Sequence, residues 1–160
     1  LLEPLVSHVV ALVSPGPVID LYAGVGLFGL SLAAMGADQI TLVEGDPISG
    51  ADLRANAEAF ASRVRVERCS VESFLRKAGR ASTLIVDPPR TGISTEALVG
   101  ALRVRPERIV YVSCDIATCA RDARVLLDAG YDLGGVTGLD LFPGTAHVEA
   151  VVSFVRTDTP

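Results

Sequence analysis

Three short stretches and one isolated carboxylate hold the side chains with chemistry to offer. Ser113-Cys114-Asp115 supplies a thiol. Asp87-Pro88-Pro89-Arg90 supplies a carboxylate and a guanidinium on a turn stiffened by two prolines. The run from Asp20 through Leu21-Tyr22-Ala23-Gly24-Val25-Gly26-Leu27-Phe28 to Gly29 mixes an acid with three glycines. Glu149 stands alone between Val148 and Ala150-Val151-Val152. A thiol at the start of a helix is biased toward thiolate by the amides there, which makes it a nucleophile. A carboxylate among apolar neighbours is desolvated, its pKa rises, and it becomes a competent proton acceptor. Each has a bland counterpart: Cys114 as an inert buried cysteine, Glu149 as an edge-strand charge facing water, and the proline turn as a plain strand exit.

The glycine run points to a nucleotide-like ligand. Gly24, Gly26 and Gly29 match G-x-G-x-x-G, and Glu44, twenty residues beyond Gly24, is the first acid after the next apolar run. Glycines at a strand-to-helix turn let backbone approach a ligand, and a carboxylate at that distance suits ribose hydroxyls. A nicotinamide or flavin dinucleotide fits this pattern, and so does S-adenosylmethionine. Asp20 favours the second, because a carboxylate just ahead of the glycines suits an ammonium rather than a pyrophosphate. Tyr22 favours it too, adding bulk where a dinucleotide turn needs glycine. Glycines serving only helix packing remain the structural alternative. Glu44 has a second reading as an N-terminal helix charge, although Asp46 and Pro47 already supply cap and first turn. Asp20 and Glu44 are both expected at strand ends, outside the core. The proline turn suits a clamp on a flat base. Arg90 stands where adenine N6-methylating enzymes carry an aromatic residue, which speaks against that chemistry.

These stretches must be positioned by alternating elements. Apolar runs at 18–21, 39–43, 63–66, 83–86 and 108–112 read as strands. Residues 27–35, 48–61, 70–78, 94–102 and 116–129 read as helices, the last closed by Gly130. Strict alternation predicts a parallel sheet covered on both faces. Residues 131–141 and 147–156 read instead as two extended segments joined at Phe142-Pro143-Gly144-Thr145, an antiparallel pair at one edge. The fold expected is therefore α/β and Rossmann-like, a mostly parallel seven-stranded sheet with an antiparallel edge pair. In such sheets ligands lie beyond the carboxyl ends of the strands, so Gly24, Asp87 and Cys114 should border one crevice.

Composition sets the bounds. The 160 residues are 49% hydrophobic and 21% charged, in keeping with one packed domain spanning 1–160. No apolar run is long enough to cross a membrane, and Leu1 to Val13, broken by Glu3, Pro4 and His8, lacks the basic start of a signal peptide. A cytoplasmic protein is expected. The three cysteines, Cys69, Cys114 and Cys119, have no metal-knuckle spacing, so neither a metal nor a disulfide framework is expected, and Cys69 and Cys119 read as packing residues. His147 reads as a local hydrogen-bonding residue. A net charge of −5 is unusual for a nucleic-acid binder, and lysine accounts for one of its 14 basic residues.

Taken together, the motifs resemble the RNA 5-methyluridine methyltransferase family. The matching residues are Asp20 to Gly26, Glu44, Ala55-Asn56-Ala57, Asp87-Pro88-Pro89-Arg90, Tyr111 to Asp115 with Ala120-Arg121-Asp122, and Phe142-Pro143 to His147-Val148-Glu149. The resemblance implies a transfer of methyl from S-adenosylmethionine to carbon 5 of a uridine in tRNA or rRNA. By it, Cys114 is the nucleophile and Glu149 the base. Asp20, Tyr22, Gly24, Gly26, Leu27, Glu44 and Asp87 hold the cofactor, while Asp87, Pro88 and Arg90 face the uracil. The family commonly has cysteine at the position of Ala23 and proline at that of Ile116. Its members are about twice this length or more, with an RNA-binding barrel, a central domain and an F-x-Q glutamine. The chain is thus expected to be the C-terminal catalytic part of a longer protein, with its RNA grip supplied upstream. The readings set against this are a cofactor-binding fragment without activity and a dinucleotide-dependent oxidoreductase.

Overall fold

The computed structural model describes residues 2–141, 143–144 and 148–157. Strand and helix alternate along β1 Val18–Leu21, α2 Leu27–Ala34, β2 Ile40–Val43, α3 Pro47–Ala57, β3 Val64–Glu67, α4 Val71–Leu75, β4 Thr83–Val86, α5 Thr95–Val104, β5 Arg108–Ser113 and α6 Ile116–Asp128. Two long strands follow, β6 Tyr131–Leu139 and β7 Glu149–Arg156. Ahead of them all lies a helix not among those expected, α1 Glu3–Ala11, with Pro4 in its first turn and Leu5 and Val9 buried one turn apart. Two helices are shorter than expected. α3 gives way to a 3-10 turn at Glu58–Phe60, and α4 stops at Leu75, where the apolar run ends ahead of Gly79.

The sheet order is β3-β2-β1-β4-β5-β7-β6. The first five strands are parallel, and β7 runs antiparallel to both β5 and β6. The antiparallel pair is therefore present, with the later strand placed inside and β6 as the outer edge. Chain order reverses between β1 and β4, so the crevice above their carboxyl ends is the natural ligand position. A single parallel sheet extended by an inserted reversed strand also differs from the two-halved dinucleotide fold.

Side chains alternate between two cores, one on each face of the sheet. One is built on Leu84, Ile109, Tyr111 and Phe154 with α4, α5 and α6; the other on Ile40, Leu42, Ile85, Val110 and Val151 with α1, α2 and α3. Cys119 is buried in the first core and Cys69 packs against its margin, as small apolar residues. No helix among the described residues is long and apolar enough to cross a membrane.

Candidate active site

The residues singled out by their chemistry gather at the carboxyl ends of the parallel strands. Tyr22 follows β1, Glu44 follows β2, Asp87 follows β4 and Cys114 follows β5. β7 runs the other way, so its first residue, Glu149, lies at the same edge. The β5–β7 ladder ends with Ser113 opposite Ala150, so Cys114 and Glu149 each lie one residue beyond the last pair, at the same end of the two strands. The pleat adds a second constraint. Val18, Leu42, Ile85, Val110 and Val151 all face the α1–α3 core, and steps of two from them reach Asp20, Glu44, Asp87, Cys114 and Glu149.

The cofactor-side loop is built on backbone bonds to these acids. Glu44 accepts the Gly24 N–H through Oε2 at 2.8 Å and the Asp46 N–H through Oε1 at 2.7 Å. Asp46 in turn caps α3 by accepting from Ile48 and Ser49. Gly24 adopts φ +56°, and a Cβ there would meet no atom within 4 Å, so the loop opens onto free space at that point. Gly26, at φ +100°, is the N-terminal cap position of α2, with Leu27 its first residue. Gly29 serves packing, since a Cβ there would strike Leu42 and come within 3.1 Å of Asp20 Oδ2. A Cβ on Gly26 would likewise lie 2.5 Å from Leu30 and 2.9 Å from Leu53, so of the three glycines the second and third answer to the packing alternative and the first does not. The Asn56 side chain donates to the Val25 carbonyl at 3.0 Å and ties α3 to this loop, a contact that residue type alone does not announce.

Asp20 corrects one expectation. It is 0% exposed, inside the core rather than at its rim. Its Oδ2 accepts the Gly29 N–H at 2.9 Å, while Oδ1 is buried with no partner. Burial, opposed by the Gly29 bond and reinforced by the charges of Asp87 and Glu44, pushes this carboxyl up to about 7. The Asp87 carboxyl is also pushed up to about 7, by burial and then by the charge of Glu149. Glu149 is half-buried, and that burial raises its pKa. A line of mutually repelling carboxyls crowding one edge of the sheet is poised for a cation or a proton. The unpartnered Asp20 oxygen and the open face of Gly24 fit a ligand that carries an ammonium and a sulfonium.

Tyr22 takes a left-handed backbone, φ +60°, which turns its ring onto the opposite core. Burial and the charges of Glu72 and Asp122 push its phenol up to about 12. In the proline turn Pro88 is buried, while Pro89 and Arg90 are exposed. The Gly92 N–H closes the turn on the Pro89 carbonyl at 2.8 Å. Cys114 is half-buried, directly ahead of Asp115, which caps α6 by accepting the Thr118 N–H at 2.9 Å. Asp115 is held below its ordinary range by its bonds to Thr118, with the charge of Arg90 adding to this. His147, Phe142 and Thr145 lie outside the described residues.

Comparison with known proteins bears on this arrangement. The family model of tRNA (uracil-5-)-methyltransferases matches residues 53–157. A Thermotoga maritima protein described as an uncharacterized RNA methyltransferase is 41% identical, over 88% of this chain and 32% of its own. The 23S rRNA (uracil(1939)-C(5))-methyltransferase RlmD of Shewanella baltica is 36% identical, over 97% of this chain and 36% of its own. The crystal structure of Pyrococcus abyssi tRNA (uracil-54, C5)-methyltransferase in complex with S-adenosyl-L-homocysteine superposes with a TM-score of 0.86 at 34% identity, over 95% of this chain and 37% of that one. The chain thus spans about a third of the length of the curated relatives it matches.

Proposed function

The chain belongs to the tRNA (uracil-5-)-methyltransferase family, and on that premise we propose that it methylates carbon 5 of a uridine in tRNA or rRNA, using S-adenosylmethionine. The observation that supports this reading is that β5 and β7 end side by side, with a half-buried thiol one residue past the last ladder pair on β5 and a half-buried carboxylate of raised pKa one residue past it on β7. A passive binding fragment has no use for that pair, and the family match sets the oxidoreductase reading aside. Asp20, Tyr22, Gly24, Gly26, Leu27, Glu44 and Asp87 would hold the cofactor, which when bound supplies an electrophilic methyl group.

The remaining chemistry falls to side chains of this chain. Carbon 5 of uracil is a weak nucleophile until a thiolate adds to carbon 6. Cys114 makes that bond, and the electron pair of the 5,6 double bond moves toward the carbonyl as an enolate. Carbon 5 then carries both its original hydrogen and the new methyl. Glu149 removes the hydrogen, the double bond re-forms, and the Cys114 sulfur leaves as thiolate. A Glu149 carboxylate with a raised pKa holds that proton better than an exposed one. Asp87, Pro88 and Arg90 shape the wall on which the base rests. The uridine must leave its stack to reach the crevice, at a cost of about a few kcal/mol, so a loop or single-stranded uridine is the substrate expected.

The acidity of the chain, −5 overall, means that phosphate contacts are drawn from elsewhere in the complete protein. Nucleoside mass spectrometry of tRNA and rRNA from cells lacking the gene tests the reading. Loss of 5-methyluridine at one position, restored by the intact gene, is the expected result. Unchanged 5-methyluridine throughout both RNA classes would remove it.

A further inference from the structure

Asp122 is a second fully buried carboxylate, 0% exposed, and none of the chemistry above uses it. It lies on the inner stripe of α6 beneath the proline turn. Its Oδ2 accepts two hydrogen bonds, from the Ile93 N–H at 2.8 Å and from the Tyr111 hydroxyl at 2.7 Å. Its Oδ1 accepts two more from the Arg121 guanidinium, from Nε at 2.9 Å and Nη2 at 2.7 Å. Arg121 Nη2 also donates to the Thr91 carbonyl at 3.0 Å. The segment 91–93 is therefore gripped at two backbone positions by one side-chain pair. Gly92 between them adopts φ +78°, and a Cβ there would strike Arg121 Nη2 and lie 2.6 Å from Asp122 Oδ2. Only a bare backbone fits against the pair.

Each partner leads to the reacting groups. Thr91 directly follows Arg90, Tyr111 precedes Cys114 by three residues on β5, and α6, which carries Asp122, begins two residues after Cys114. We infer that Asp122 is a positioning residue that locks the Asp87–Arg90 turn and the Cys114 turn into one frame, a role that rests on the uracil-methylation reading. A carboxylate is required because all four contacts are donors, two to each oxygen, and an amide would set its NH2 against two of them. The charge of Asp122 reaches Tyr22 through space, but the cofactor loop is held separately, by Asp20, Glu44 and Asn56.

The test uses the complete protein as its gene encodes it, in Asp122→Asn, Gly92→Ala and Tyr111→Phe forms. Methylation at saturating RNA and S-adenosylmethionine is measured beside cofactor affinity by calorimetry and amide hydrogen exchange at Ile93. Asp122→Asn and Gly92→Ala are each expected to lower kcat per folded molecule by about tenfold or more, as misplaced reacting groups do. Cofactor affinity should fall by a smaller factor than kcat, since the loop held by Glu44 and Asn56 is untouched and Asp87 rides on the released turn, and the Ile93 amide should exchange faster. Combining the two should cost no more than the worse of them, because both release the same turn. Tyr111→Phe removes one donor only and should show a smaller loss of the same kind; with Gly92→Ala it decides the matter if Asp122→Asn does not fold. A kcat per folded molecule equal to that of the unaltered protein, or Ile93 protection left intact, would overturn the inference. An unaltered protein that makes no 5-methyluridine would instead overturn the uracil reading, and the exchange data would still decide whether Asp122 grips the turn.

Discussion

Asp20 and Asp122 are both wholly buried, one on each face of the same sheet, yet they are treated in opposite ways. Asp122 has every oxygen satisfied, by an arginine, a phenol and a backbone amide. Asp20 has one amide and one bare oxygen, and burial leaves its carboxyl near 7. A buried charge answered by the protein's own donors is a fixed part of the frame. One left half-answered keeps a raised pKa and a free acceptor. On the proposed function, the first kind would steady the turns and the second would take part in holding the cofactor.

Stability separates them most sharply. Removing the shared acceptor in Asp122→Ala leaves the Tyr111 hydroxyl and the Ile93 amide buried and unpaired, while the half-exposed Arg121 returns to water, and a loss of about 2–5 kcal/mol is expected. Asp20→Asn keeps shape and relieves a desolvated carboxylate, so a change within about 1 kcal/mol is expected. Denaturant unfolding of both variants at neutral pH checks the contrast, and equal losses would break it.

The pH dependence comes next in size. The Asp20 pKa is about 7 in the folded chain against 3.8 when exposed, so the folded state holds the extra proton between those values. Its contribution to stability is therefore present below pH 3.8 and is lost as pH rises through about 7. The decline amounts to a few kcal/mol, to which Asp87, shifted in the same direction, adds. Unfolding free energies of the ligand-free protein should fall across this window, and Asp20→Asn should flatten the curve. A slope that survives the substitution would assign it to other groups. The smallest effect expected is on binding. Glu44→Ala should weaken S-adenosylmethionine by about 1.5–3 kcal/mol in calorimetry, as loss of a charged hydrogen-bonding partner does. An unchanged affinity would remove Glu44 from the cofactor site.

Much of this was legible from residue order, because strand ends and glycine turns are local features. Asp20-to-Gly29, Asp87-Pro88-Pro89-Arg90 and Cys114 each sit where a period-two run breaks, and alternation alone sends all three to one edge of a parallel sheet. The placing of Cys114 and Glu149 at the same end of neighbouring strands is not local, since it depends on β7 slipping between β5 and β6. The depth of Asp20 was misjudged for a related reason. A strand end is exposed only if nothing lies over it, and here α2 packs its Gly29 against the carboxylate. Asp122 left a mark that was open to reading, for it falls on the Cys119–Leu126 stripe of an otherwise amphipathic helix. α1 did too, through Pro4 in its first turn and the Leu5–Val9 spacing.

The pairing of Cys114 with Glu149 is the central claim, and a denaturing gel of labelled RNA with the complete protein tests it most directly. In Glu149→Gln the thiol still adds and the methyl still arrives, but the hydrogen on carbon 5 has no acceptor, so a methylated protein–RNA adduct should accumulate. In Cys114→Ala both the adduct and the methylation should vanish. A Cys114→Ala protein that still methylates uridine, or a Glu149→Gln protein that turns over normally with no trapped band, would contradict the account.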